Sequence, residues 1–192
     1  MNKAYKAVLF VVMSAAMLAV PASQIFRHEL VLQKGRAFRF RTAPVDPYDA
    51  FRGRYVALQF ENLRGTLPPG MSFGYEKDVQ AVIGEDEKGF AVVRALSEKP
   101  PAGTTDYVTM EMGWQSYEDH SNRVVRLTPP FSQFFMNEKL APAAEETYRR
   151  MNRSGLSNVW AVVRVLNGKG VLEELMFDGK PAAEYLTNKE RP

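Results

Sequence analysis

The chain reads as a mainly β (α+β) protein: a partly closed β-barrel or sandwich with one packed α-helix, preceded by an N-terminal transmembrane helix. Three observations predict this. An uncharged apolar run, from Ala7 to Val20, opens the chain. Short segments rich in β-branched and aromatic residues then recur between Gly and Pro turns. One later stretch, beginning at Pro142, carries helical periodicity.

Lys3 and Lys6 stand before the apolar run, and Val20-Pro21-Ala22 after it. A basic start with an apolar core describes a signal peptide cut near Ala22. It equally describes an anchor continuing through Ile25 and Phe26 to Arg27. Counted from Ala7 to Phe26, that anchor has about the twenty residues a spanning helix requires. The run has no polar face, which argues against a buried helix of a soluble protein. The expected division is therefore 1–26 as membrane anchor or signal peptide, and 27–192 as one extracytoplasmic β-rich domain. Basic residues flank the run on both sides, so charge bias does not fix its orientation.

Leu30 to Gln33 and Ala37 to Arg41 read as strands around Gly35. In the second, Phe38 and Phe40 alternate with Arg39 and Arg41, the pattern of a half-buried strand. Asp46-Pro47 starts a turn. Arg54 to Glu61 follows as a strand, with Val56, Leu58 and Phe60 on one face and Tyr55, Ala57 and Gln59 on the other. Tyr55 is thus out of phase with the apolar face. Gly53 suits a bulge or a positive φ. Leu67-Pro68-Pro69-Gly70 is a turn. Val79 to Ile83 and Phe90 to Leu96 bracket an acidic hairpin loop, and Lys99 to Gly103 is a connector. Tyr107 to Trp114 alternates, with Val108, Met110, Met112 and Trp114 on one side. Arg123 to Leu127 is a short strand that stops at Pro129-Pro130. The aromatic segment Phe131 to Phe135 fits no class.

Pro142 suits the first turn of a helix and Gly155 its C-terminal end. Between them Ala144, Tyr148 and Met151 share a face, and Glu145–Arg149 and Glu146–Arg150 have ion-pair spacing. The chain closes with a hairpin: Val159 to Leu166 and Val171 to Phe177 flank Asn167 to Gly170. Val159 to Leu166 is nearly continuous in apolar residues and so reads as an inner strand.

No other stretch is as dense in unusual choices as Asp46 to Glu61, and its segment R-G-R-Y-V-A-L-Q-F resembles the signature of the GDYXXLXY family, bacterial membrane-anchored proteins of unknown function. Gly53, Tyr55 and Leu58 stand where that signature has Gly, Tyr and Leu. Pro44 to Asp49 (P-V-D-P-Y-D), Phe134 to Glu138 (F-F-M-N-E) and the closing D-G-K are similar to it as well, so the resemblance covers most of the chain. Arg54 replaces the signature's Asp, and Phe60 its second Tyr. The first exchange reverses a charge, so no role of that Asp carries over. The resemblance implies an uncleaved anchor, hence a single-pass protein of the bacterial inner membrane with its domain facing the periplasm.

The composition limits the chemistry. His28 and His120 are the only histidines and there is no cysteine, which argues against disulfides and multi-histidine metal sites; no metal and no cofactor are expected. Phosphate-loop, zincin and nucleophile-elbow motifs are missing from the sequence. Net charge is only +3, and no nucleic-acid motif accompanies the basic stretch Arg27 to Arg54, so no nucleic acid is expected as a partner. Asp46 and Asp49 form an acid/base pair only if their environments split their pKa values, and no catalytic residue is nominated.

The expected function is a membrane-anchored binding or assembly module. It docks a membrane partner, such as a polytopic membrane protein, or a periplasmic ligand. The candidate docking residues are Asp46, Asp49, Arg52, Gly53, Arg54, Tyr55 and Glu138. Two alternatives stay open. One is a hydrolase-like enzyme on a fold similar to type I signal peptidases, although no serine lies between Gln24 and Gly53 to act as nucleophile. The other is a peripheral binder of anionic lipid through Arg36, Arg39 and Arg41.

Overall fold

The computed structural model describes residues 3–44, 55–61, 63–68, 70–72, 74–119, 122–153 and 158–189. It opens with one long helix, α1 (Lys3–Lys34). Thirty-two residues at 1.5 Å each make it about 48 Å long. The stretch from Val8 has a mean hydropathy of 2.0 with none of its most apolar window buried, which fits a single-pass membrane anchor. The helix runs through Pro21 and on to Lys34. The strand expected at Leu30 to Gln33 is therefore helix. Those residues form a short apolar run that periodicity cannot tell from a strand, but Val31 alone is buried and the helical ladder already satisfies their backbone.

Gly35 turns the chain from α1 into β1 (Arg36–Ala43). Its N–H donates to the Val31 carbonyl at 2.8 Å, and its own carbonyl accepts from Arg164 at 3.2 Å. A Cβ at Gly35 would collide with the Val31 oxygen and sit 3.1 Å from that of Val165. The joint between anchor and body is thus closely packed.

The strands follow as β2 (Tyr55–Ala57), β3 (Gln59–Phe60), β4 (Arg64–Thr66), β5 (Asp78–Glu85), β6 (Ala91–Ser97), β7 (Tyr107–Asp119), β8 (Asn122–Thr128) and β9 (Gln133–Phe135). After α2 (Ala141–Arg153) come β10 (Val159–Leu166), β11 (Lys169–Phe177), β12 (Lys180–Pro181) and α3 (Ala182–Lys189). One sheet has the order β12-β11-β10-β1-β3, and a second β4-β8-β7-β5-β6. In the second, the two ends return against each other: a Cβ on Gly65 of β4 would lie 2.8 Å from the Leu96 side chain of β6. Bridges at Arg39–Phe90 and Val108–Gly168 join the two sheets, so the whole is strand-rich and nearly closed, like a barrel.

Alternation places Phe38 and Phe40 of β1 in the core as expected. Ala161, Val163 and Val165 of β10, and Val79 and Ala81 of β5, are buried as well. Phe40 is the centre of an aromatic cluster, edge-on to Phe60 and Phe131 with ring centroids 5.8 and 5.4 Å away. β10 does lie inside its sheet, between β11 and β1. The segment Phe131 to Phe135, which fitted no class, supplies a core ring and then β9.

Three features differ from the reading of the sequence. Trp114 is 78 % exposed, not aligned with Met112, because the β7–β8 register shifts by one residue between Met112 and Gln115 and flips the phase. The strand at Arg54 to Glu61 is divided at Leu58 into β2 and β3, which pair with different strands. A second packed helix, α3, covers the end of the first sheet with buried Ala182 and Leu186, and eight residues were too short to show periodicity.

Candidate functional site

Five of the seven expected docking residues, Asp46, Asp49, Arg52, Gly53 and Arg54, lie outside the described residues, as does His120. The remaining two are Tyr55 and Glu138.

β2 pairs antiparallel with β9, placing Tyr55 opposite Phe135 and Val56 opposite Phe134. Period-2 alternation sends Val56 fully into the core and leaves Tyr55 half-buried on the other face. There its ring meets that of Phe135, with centroids 5.5 Å apart and planes tilted by 55°. Phe135 is 67 % exposed. Three residues on, Glu138 is exposed in the turn that leads into α2. Asn137 organises this turn: its side chain accepts from Lys139 N–H at 3.0 Å and its carbonyl from Leu140 and Ala141. One exposed and one half-buried aromatic ring therefore stand at one end of the β2–β9 ribbon, with an exposed carboxylate three residues on in the chain.

At Leu58 the strand changes partner. The Leu58 N–H donates to Ser132, and the next residues join β1, with Gln59 opposite Ala43 and Phe60 opposite Thr42. Ala43 and Gln59 are register partners on β1 and β3. Both are tied to α2. The Tyr148 hydroxyl donates to the Ala43 carbonyl at 2.8 Å and accepts from the Gln59 N–H at 3.3 Å. The Asn152 amide donates to the Tyr148 carbonyl at 3.1 Å. The Thr42 hydroxyl lies 3.0 Å from the Val159 carbonyl and 3.4 Å from Asn152 Oδ1. Thr42, Tyr148 and Asn152 are all buried, and burial pushes the Tyr148 phenol up to about 12. A phenol that stays neutral keeps its proton for Ala43.

Sequence reasoning put Tyr148 on the inner face of the helix but missed this polar function. The available signal was an apolar helix face containing one hydroxyl, which requires a partner once buried.

The arginines of β1 are engaged elsewhere. Arg36 pairs with Glu85 and Asp106, each at 3.2 Å, and Arg41 with Asp86 at 3.0 Å. Arg41 also stacks over Phe90 at 4.1 Å, and Arg39 donates to the Gly89 carbonyl. These side chains fasten β1 to the β5–β6 hairpin and to the start of β7, across the gap between the two sheets.

No group of three or more His, Asp or Glu side chains is arranged to hold a metal among the described residues. No curated protein and no solved structure matches the chain. A family profile described as "GDYXXLXY protein" matches residues 17–175, from within α1 to β11. With most of its length matched, including the end of the anchor, both sheets and α2, the chain belongs to the GDYXXLXY family.

Proposed function

We propose that this protein is a membrane-anchored assembly module of the bacterial inner membrane. Its domain faces the periplasm and docks an integral, polytopic membrane protein through the end of the β2–β9 ribbon. The observation that carries this reading is the Tyr55–Phe135 pair: an aromatic surface on a short ribbon, followed three residues later in the chain by the exposed Glu138. Aromatic residues are favoured at the centres of interfaces because they bury much area at little entropic cost. The bracing of Ala43 and Gln59 by Tyr148 supports the reading, since a pre-ordered surface loses less freedom on binding. So does α1, which confines the domain to the bilayer surface, where encounter with an integral partner is two-dimensional. The candidate residues Asp46, Asp49, Arg52, Gly53 and Arg54 fall in sequence between Ala43 and Tyr55.

The test is co-purification of the full-length protein in mild detergent. The wild type should retain an integral membrane protein that Tyr55→Ala and Phe135→Ser release, with circular dichroism unchanged. If the variants keep that partner, or if no membrane protein accompanies the wild type, the docking face is wrong.

A further inference from the structure

A cleft of about 830 Å³ lies where α1 meets the body, within the roughly 300–1,000 Å³ common for ligand sites. Gln24, Arg27 and His28 line it from the helix, and Asp78, Glu111 and Lys169 from the two sheets. Asp78 and Glu111 are register partners on β5 and β7, so their side chains stand side by side on one wall. Lys169 follows the tight turn at Asn167-Gly168 on the opposite sheet. Among the described residues none of these charged side chains forms an ion pair. The cleft thus presents cations and anions that have not neutralised one another.

Its position decides what chemistry fits. Gln24, Arg27 and His28 follow the apolar stretch of α1 directly and share one face by their spacing of three and four. Continued toward the N-terminus, the same face becomes Val20 and Met17, which are 60 % and 74 % exposed. An apolar track therefore leads along the helix into a doubly charged cleft at the depth where the hydrocarbon ends.

We infer that this cleft binds the headgroup of a zwitterionic phospholipid carrying a primary ammonium, a phosphatidylethanolamine. Arg27 and Lys169 take the phosphodiester, with His28 as a further hydrogen-bonding group. Asp78 and Glu111 take the ammonium. The acyl chains lie along Met17 and Val20. The body is thereby set at a fixed height and tilt on the membrane. This inference is independent of the docking face at Tyr55.

The test uses the full-length protein in nanodiscs of phosphatidylcholine containing equal amounts of phosphatidylethanolamine and phosphatidylglycerol, with retained lipid counted by native mass spectrometry. The wild type should retain phosphatidylethanolamine over both other lipids. Asp78→Asn with Glu111→Gln should lower that preference about fivefold, the scale of two exposed charge contacts. Arg27→Ala with Lys169→Ala should lower retention of all three lipids. Each single substitution, read alongside circular dichroism, gives the same information should a double variant fold poorly. Equal retention of the three lipids by the wild type would overturn the inference, as would an unchanged preference in the Asp78/Glu111 variants. Water-soluble phosphoethanolamine separates lipid from free ligand: if it binds while no lipid is preferred, the occupant is not a lipid.

Discussion

The Tyr148 hydroxyl donates to the Ala43 carbonyl at 2.8 Å, so a helix side chain holds the last residue of β1. Burial raises this phenol from 10.0 to about 12. The folded protein therefore holds the proton more tightly than the unfolded chain does. The resulting stability is complete below pH 10 and is lost as pH rises toward about 12, a loss on the order of 2 kcal/mol. Tyr148→Phe should remove this alkaline sensitivity while costing about 1–3 kcal/mol at neutral pH, because the Ala43 carbonyl is left without its donor. Urea unfolding at pH 7 and above pH 10 checks both. Parallel curves for the two proteins would show that the phenol does not titrate as argued.

Two residues before Ala43, Arg41 pairs with Asp86, which should impose an acid limit. Its carboxylate accepts from the Phe90 and Lys88 N–H groups, both at 2.9 Å, and from Arg41 at 3.0 Å. The Phe90 N–H is the largest of the effects that hold it below its ordinary 3.8. A depressed carboxylate stabilises the fold above its unfolded value and stops doing so as pH falls through it. Asp86→Asn should melt at lower temperature than wild type at pH 7, and the gap should close below about pH 4. A gap independent of pH would remove Asp86 from this role.

Gly35→Ala should damage the joint between anchor and body. The added methyl meets two carbonyl oxygens, of Val31 and Val165, and neither can turn away without breaking a ladder. The expected cost is about 1–3 kcal/mol, seen as a lower melting temperature of the detergent-solubilised protein. Arg164→Met, which leaves the Gly35 carbonyl without its side-chain donor, should loosen the same joint by less, about 1 kcal/mol. A Gly35→Ala variant as stable as wild type would show that the joint yields.

Gly168→Ala should cost about 1–2 kcal/mol in urea unfolding. Asn167 and Gly168 both have positive φ, at 47° and 83°, as a two-residue hairpin turn with the strands' own twist demands. Asparagine tolerates that region and alanine does not. A Cβ at Gly168 would also stand 3.0 Å from the Thr109 hydroxyl, on the bridge that links the two sheets. Lys169 adjoins this turn, so the variant should also weaken lipid retention. Unchanged stability would mean that the turn can adopt another form.

The sequence by itself determined the apolar length of α1, the inward face of β1, the inner place of β10 in its sheet, the two hairpins and the inner face of α2. Each depends on neighbours a few residues apart, where a period of 2 or 3.6 and the φ preferences of Gly and Asn act directly. It also carried the family signature at Gly53, Tyr55 and Leu58. Only the tertiary structure decided that Leu30 to Gln33 continues the helix, that Trp114 leaves the core phase, and that the strand around Leu58 serves two partners. The same holds for Tyr148 meeting Ala43, and for Arg27 sharing a cleft with Asp78 and Lys169. These outcomes turn on pairings between distant segments. A one-residue register shift or a long-range hydrogen bond changes the burial of a side chain without altering its local pattern.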